Sequence, residues 1–449
     1  MKRKIYNDLL RWKQRSAGRS ALLIEGARRI GKSYITREFA KNEYASHLII
    51  DFSTAPTMVK SWFHEYLEDI DILLYNLQLH YKTQLVPGDA LVVFDEIQNC
   101  PKAREAIKSL VADGSFHYIE TGSLVSIKKN VKDILIPSEE ESIEMFPMDF
   151  EEFLWALGDE MLMPYIRRCF EAKMPMGDFH RRAMEYFRQY LIVGGMPQAV
   201  QTYVDTRDFS LVDDEKRRIL TLYRNDIRKY ADREEMRVSA IFDEIPAQLQ
   251  KHEKKFHLAA LSKSARMRNY ANAFFWLSDA KIINCCYNTT EPSVGLRLSE
   301  ERTTLKCYMG DTGLLISHAF NDRAIVSQEL YQKLLFDKLE VNAGMIVENV
   351  VAQMLRAAGH KLFFFSKADN ADAASRMEID FLVSKPVITS RHNIVPIEVK
   401  SSKNYTLSSL KKCAQKYAQQ ITTPVVLHQA DVQQKDGILY LPIYMTPLL

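Results

Sequence analysis

Ile24-Glu25-Gly26-Ala27-Arg28-Arg29-Ile30-Gly31-Lys32-Ser33 is the stretch on which the reading of this sequence turns. Its spacing is Gly-x4-Gly-Lys-Ser. It follows the apolar run Ala21-Leu22-Leu23-Ile24 and leads into a helical pattern through Tyr34, Ile35, Phe39 and Ala40. Strand, glycine loop and helix in that order make a phosphate-binding loop. The glycines let the backbone curl so that successive N–H groups face phosphate oxygens, and the helix N-terminus adds the positive end of its dipole. Gly26, Ala27, Arg28, Arg29, Ile30, Gly31, Lys32 and Ser33 are therefore the expected ATP contacts. Lys32 is expected to reach the β- and γ-phosphates, and the Ser33 hydroxyl to ligate Mg2+. A plain glycine turn between a strand and a helix is the competing reading.

Working outward, a short helix from Ile5 to Trp12 precedes the loop, and His47-Leu48-Ile49-Ile50-Asp51-Phe52 reads as a second strand. Ala90-Leu91-Val92-Val93-Phe94-Asp95-Glu96 is a continuous apolar run ending in carboxylates. That is the pattern of a buried parallel strand whose acidic residues emerge at its C-terminal edge. There Asp95 is expected to hold Mg2+, directly or through water, and Glu96 to polarise a water for attack on the γ-phosphate. A fourth strand, Phe116 to Glu120, ends in Thr121-Gly122-Ser123. Thr121 and Ser123 are candidates to contact the γ-phosphate or the attacking water, with an ordinary turn as the alternative for each. Alternating strands and helices predict a parallel sheet covered on both faces.

Four motifs carry a resemblance: Gly26-Ala27-Arg28-Arg29-x-Gly31-Lys32-Ser33, Phe94-Asp95-Glu96-Ile97-Gln98, Ile119-Glu120-Thr121-Gly122-Ser123, and Met145-Phe146-Pro147-Met148-Asp149-Phe150-Glu151-Glu152-Phe153-Leu154. The chain resembles a widespread prokaryotic family of AAA-type P-loop ATPases that carry a C-terminal domain of unknown function. The likeness extends through Val193-Gly194-Gly195-Met196-Pro197 and Leu222-Tyr223-Arg224-Asn225-Asp226-Ile227. It implies ATP binding and hydrolysis. Many such ATPases need an arginine on the γ-phosphate. Arg28, Arg29 and Arg224 are candidates, each also readable as a solvated surface residue.

With 449 residues the chain is too long for one ordinary core, so two or three domains are expected. A hydrophobic content of 47% and a charged content of 26% describe a folded chain. The net charge of +3 gives no global argument for nucleic acid, so any such binding must come from a local patch. The basic N-terminus lacks an apolar continuation and no run approaches a membrane-spanning length, so no membrane is expected. Six scattered cysteines without a Cys-x2-Cys pair fit a reducing, cytoplasmic setting.

Helical patterns dominate from Asp149 to about Tyr230. Further on, Lys251, Lys254, Lys255, Lys263, Arg266 and Arg268 crowd one segment. Two runs, Ala280 to Tyr287 and Leu305 to Met309, are read as the two strands of a wing. Helices followed by a hairpin suggest a winged-helix module whose basic segment faces DNA phosphates, or a solvated helix face, or a protein-docking element.

Beyond Asn342 come an amphipathic helix containing Glu348, a strand Lys361 to Phe365, the run Met377 to Val383 with Asp380 inside it, and Ile394 to Lys400. Glu398 and Lys400 stand two apart, so they share one strand face. The set Asp380-x17-Glu398-x-Lys400, with Glu348 on the preceding helix, resembles the restriction-endonuclease-like, or PD-(D/E)xK, nuclease fold. In that scheme Asp380, Glu398 and Glu348 ligate Mg2+ or Mn2+, the oxygen-only set suiting a hard cation. Lys400 orients or helps deprotonate the attacking water. A salt-bridged pair on a sheet face is the plain alternative, and a retained site could bind DNA ends without cutting.

The sequence thus predicts an α/β protein in three parts. These are an AAA-type P-loop ATPase domain with a helical extension over residues 1–205, a winged-helix-like module over 206–325 and a nuclease-like α/β domain over 326–449. The leading expectation is an Mg-dependent ATPase coupled to a DNA-binding or DNA-cleaving C-terminal module. The alternative is a nucleotide-gated switch acting on a protein partner or a second copy of the chain, with the nuclease-like domain inactive.

Overall fold

A computed structural model describes residues 1–16, 18–123, 134–251, 254–293, 295–320, 343–367, 376–385, 393–402 and 404–449. The chain divides into two compact units, Met1–Phe146 with Asp279–Lys281, and Pro147–Ser278 with Ile282–Leu449.

In the first unit the order is α1 (Ile5–Ser16), β1 (Ala21–Glu25), α2 (Lys32–Glu43), β2 (Ser46–Asp51), α3 (Thr57–Glu65) and α4 (Ile70–Tyr81). Then follow β3 (Ala90–Asp95), α5 (Pro101–Asp113), β4 (His117–Gly122) and β5 (Glu140–Glu144). The strands form one sheet in the order β2-β3-β4-β1-β5, and every neighbouring pair is parallel. Parallel neighbours cannot be joined by a tight turn, which is why helices separate β1 from β2, β2 from β3, and β3 from β4. All six residues of β3 are buried, as its unbroken apolar run requires of a strand covered on both faces. Pairing of Ile24 with Thr121, and of Phe94 with Glu120, places β4 between the loop-bearing strand and the strand that ends in Asp95. β5 was not expected. Glu-Glu-Ser-Ile-Glu has no apolar run to announce a strand, and charge of this kind suits its place at a sheet edge.

The second unit opens with α6 (Phe150–Ala156), α7 (Leu162–Ala172), α8 (Asp178–Val193), α9 (Pro197–Thr206), α10 (Phe209–Tyr230), α11 (Glu235–Gln250) and α12 (Met267–Asp279). Next come β6 (Ile283–Thr289), β7 (Glu300–Met309), α13 (Thr312–Ala319), α14 (Ala343–Ala357), β8 (Phe363–Lys367), β9 (Met377–Ser384) and β10 (Ile394–Val399). α15 (Ser408–Lys416), β11 (Val425–His428), β12 (Gln433–Lys435) and β13 (Ile438–Pro442) complete it. Its strands form a mixed eight-stranded sheet, β12-β13-β11-β10-β9-β8-β6-β7.

This arrangement changes two expectations about domains. The strands read as a wing do pair with each other, but β6 also pairs in parallel with β8 through Tyr287 and Phe363. They are therefore the end of the C-terminal sheet rather than a separate hairpin. The helices after Phe146, expected to extend the ATPase domain to residue 205, group with the second unit. The reason is a set of buried polar contacts. Asp311 accepts a hydrogen bond from the Gly195 N–H at 2.6 Å, Lys216 donates to the Ile192 carbonyl at 2.8 Å, and Gln353 donates to the Tyr190 hydroxyl at 3.1 Å. The expected boundary at 325/326 lies outside the described residues.

The Gly194-Gly195 pair finds its explanation here. A Cβ on Gly195 would stand 2.1 Å from the Met148 carbonyl oxygen, and one on Gly194 would stand 2.3 Å from Asp311 Oδ1. Three segments distant in sequence meet at backbone distance, and only glycine permits it.

Candidate functional site

The loop from Gly26 to Ser33 leaves β1 at the C-terminal edge of the sheet and enters α2 at Lys32. Gly31 takes a left-handed conformation, φ 95°, which turns the chain into the helix without a Cβ penalty. Gly26 is held by proximity: a Cβ there would lie 2.4 Å from the Met145 carbonyl oxygen. Lys32 is 6% exposed, and its Nζ donates to the carbonyls of Gly26 and Ala27, both at 2.8 Å. Burial lowers its pKa to about 8, against the opposing pull of Glu96 and Asp95.

Around this lysine the predicted residues converge. Ser33 Oγ donates to Asp95 Oδ1 at 2.8 Å, and the Thr121 hydroxyl donates to the same oxygen. Thr121 Oγ1 accepts in turn from the Glu96 N–H at 3.4 Å. Glu96 adopts a left-handed conformation, φ 55°, just beyond the strand. Ser123 is buried at the end of β4.

Two residues of this site escaped the sequence reading. Arg3, 6% exposed, donates to the Ile30 carbonyl and the Phe146 carbonyl, both at 2.7 Å, and so braces the loop from the N-terminus. Nothing local in Lys2-Arg3-Lys4 announces that role. Gln98 Nε2 donates to Glu96 Oε2 at 2.5 Å, which holds one oxygen of the expected base. Its signal was its place two residues past Glu96. Of the arginine candidates, Arg29 is exposed with φ 69°, and Arg224 belongs to the second unit. There it pairs with Asp243 and lies 5.2 Å from the centre of the Phe242 ring.

A tight loop with no room for a side chain at Gly26, a buried lysine among loop carbonyls, and a hydroxyl bonded to a carboxylate fit a nucleoside triphosphate with Mg2+. Gly26 to Ser33 would hold the phosphates, and Ser33 with Asp95 the metal.

The second constellation lies in the second unit. Glu348, Asp380, Glu398 and Lys400 do come together. Lys400 Nζ donates to Glu398 Oε1 at 2.7 Å, and the Val399 N–H donates to Asp380 Oδ2 at 2.9 Å. Burial raises the Glu348 carboxyl to about 7 and pushes the Glu398 carboxyl up as well, with Asp380 the next cause for both. Between the carboxylates stands a residue that had been read only as part of a wing. Lys306 Nζ lies 3.2 Å from Glu378, 3.4 Å from Asp380 and 3.8 Å from Glu348. Two lysines of the basic segment join it: Lys254 pairs with Glu348 and Lys255 with Glu378, each at 3.5 Å. Among the described residues no group of three or more His, Cys, Asp or Glu is arranged to hold a metal ion. The carboxylates expected as metal ligands face ammonium groups instead, so this donor set does not fit a divalent cation.

Residues 18–154 match a family model described as an AAA domain. That segment is thus similar to AAA domains. Residues 184–324 and 343–445 match two models described as domains of unknown function, DUF8612 and DUF4143. Among solved structures, the chain is similar to a Walker-type ATPase of Pyrococcus abyssi at 16% identity and a TM-score of 0.42, over 71% of this chain and 95% of that one. It is also similar to Cdc6p of Pyrobaculum aerophilum, at 13% identity and a TM-score of 0.25, over 75% and 94% of the two chains. The Orc1 protein of Aeropyrum pernix, solved in complex with DNA, aligns at 13% identity and a TM-score of 0.28, over 72% and 93%. No curated protein matches the chain. Among the described residues no helix is long and apolar enough to cross a membrane.

Proposed function

We propose that this chain binds ATP with Mg2+ and hydrolyses it, and that nucleotide state governs binding by the second unit. The observation that carries the reading is the hydrogen-bond chain Ser33–Asp95–Thr121–Glu96 beside the buried Lys32. Lys32 Nζ exchanges the Gly26 and Ala27 carbonyls for phosphate oxygens, which carry more negative charge. Bound Mg2+ supplies charge neutralisation on the β- and γ-phosphates. Thr121 holds Asp95 and the Glu96 backbone in one register. Glu96 takes the proton of the attacking water once its Oε2 is released from Gln98.

Two substitutions test this. Lys32→Ala removes ATP binding, read by calorimetry. Glu96→Gln keeps ATP binding and lowers turnover by roughly 100-fold or more, the usual contribution of a positioned base. Wild-type turnover in Glu96→Gln would remove Glu96 from that role.

For the second unit we propose binding without metal-dependent cleavage, because lysines already occupy the carboxylate cluster. DNA is the partner class suggested by the basic segment, in which Lys251, Lys263, Arg266 and Arg268 remain exposed. Four such cations limit the segment's contribution to a log–log salt slope of about −3.6. A DNA affinity that does not change with salt favours the other reading, nucleotide-gated docking on a protein partner. The inward turn of Lys254 and Lys255 supports that second reading.

A further inference from the structure

We infer that Lys306 is the resident cation of the C-terminal carboxylate cluster, so that the cluster becomes a divalent-metal site only when that ammonium is removed. This deepens the proposal of a non-cleaving second unit and rests on it.

As to position, Lys306 Nζ is within 3.8 Å of oxygens from Glu348, Glu378 and Asp380. Two of these three residues are the expected metal ligands. A hard cation needs carboxylate oxygens at about 2.0–2.6 Å on several sides, and it cannot take them while an ammonium stands among them. As to enclosure, the Lys306 side chain is 1% exposed, and its Nζ sits 5.2 Å from the centre of the Phe364 ring. Its strand is fixed on one side by pairing with β6, opposite Cys286. The lysine therefore cannot swing into water to make room. Displacing it without releasing it would leave a buried, unpaired ammonium, which is more costly than the pair it left. Burial works to lower the pKa of Lys306, but Glu348, Asp380 and Glu378 outweigh it and hold the ammonium above the usual lysine range.

As to charge, the carboxyl groups of Glu348, Glu378, Asp380 and Glu398 face the ammonium groups of Lys254, Lys255, Lys306 and Lys400. The two sets match in number, so even with every carboxyl group ionised there is no surplus of negative charge for a dication to neutralise. Hydrogen bonding tells the same story. Glu348 also accepts from the Tyr308 hydroxyl at 3.0 Å, and Asp380 from the Val399 N–H. Among the oxygens of these four carboxyl groups, Glu398 Oε2 is buried without a partner. One open oxygen beside a fixed ammonium is a latent site, and Lys306 is what keeps it latent.

The test uses the full chain without nucleotide and Mn2+ as the probe, with binding read by calorimetry and by the melting temperature. Wild type is expected to bind no Mn2+ that an Asp380→Asn substitution removes, and its melting temperature is unchanged by the ion. Lys306→Met is expected to bind Mn2+ at least about tenfold more tightly than wild type, since removing the ammonium frees the oxygens of Glu348, Glu378 and Asp380 for a hard cation. Its melting temperature falls without Mn2+ and recovers with it. The Lys306→Met/Asp380→Asn double variant loses that binding, and Lys306→Arg behaves as wild type. Mn2+ binding by wild type that Asp380→Asn abolishes would overturn the inference, as would a folded Lys306→Met that gains none. If Lys306→Met cannot be recovered folded even with Mn2+, the comparison of wild type with Asp380→Asn decides alone. ATP binding by Lys306→Met stays at the wild-type level. A wild-type chain that fails to bind ATP strikes the ATPase reading and leaves the metal test intact.

Discussion

Lys32 combines burial, two carbonyl acceptors and a pKa lowered to about 8. Near neutral pH it carries its charge only by a small margin, and a phosphate in the loop restores that margin because negative charge favours the ammonium. Below pH 7 the lysine is already protonated, so ATP binding draws no proton to it. Above pH 8 the free protein has largely lost that proton and the complex regains it. ATP binding at about pH 9 should therefore take up a proton, and affinity should weaken as pH rises past 8, by up to about tenfold per pH unit. Calorimetry in two buffers of different ionisation enthalpy measures the uptake. A binding heat that does not depend on the buffer at pH 9 would show that Lys32 is not the coupled group. The loop was legible at this scale because its spacing is itself the chemistry. Why Gly26 must be glycine was not legible, since the Met145 carbonyl that enforces it arrives from the far end of the unit.

β4 carries a second buried charge problem behind the site. Glu120 is fully buried and neither of its oxygens has a hydrogen-bond partner, while Arg104 holds Glu140 on β5 through Nε at 2.9 Å and Nη2 at 2.7 Å. Burial and then the nearby Glu140 push the Glu120 carboxyl well above the usual range, and Arg104 offsets this only in part. The folded unit thus keeps a proton on Glu120 that the unfolded chain releases near its ordinary pKa of about 4.3. Between those two values the native state binds more protons, so this group makes the first unit less stable as pH rises from about 4.3 upward. Glu120→Gln, which cannot ionise and keeps the shape of the neutral side chain, should raise the melting temperature at pH 8 and change it little at pH 5. An equal change at both would refute the account. Strand-level legibility followed the same physics. β1, β3 and β4 announce themselves by apolar runs, whereas β5 is held by an arginine and a sheet edge that no local pattern encodes. The wing expectation failed for a related reason. Pairing between β6 and β7 is local and readable, but the pairing of β6 with β8 that merges them into the larger sheet is not.

Across the whole molecule, the carboxylates of the second site were legible and their charge state was not. Asp380, Glu398 and Lys400 fall into a recognisable spacing within one stretch of chain. Lys306, Lys254 and Lys255 reach the same cluster from elements that precede it, and in the sequence they look like strand filler and surface charge. A local pattern can propose ligands, but it cannot count the cations that tertiary structure delivers to them. The two sheets also differ in when they can exist. Every strand of the first is present once residue 144 has been made, while the second needs residues from 283 to 442. On a ribosome that works from the N-terminus, the ATPase sheet can close before the second sheet has its last strands. During that interval β6 and β7 await the rest of their sheet and expose an unpaired edge. The second unit, with its long-range strand order, is the slow and aggregation-exposed part of synthesis.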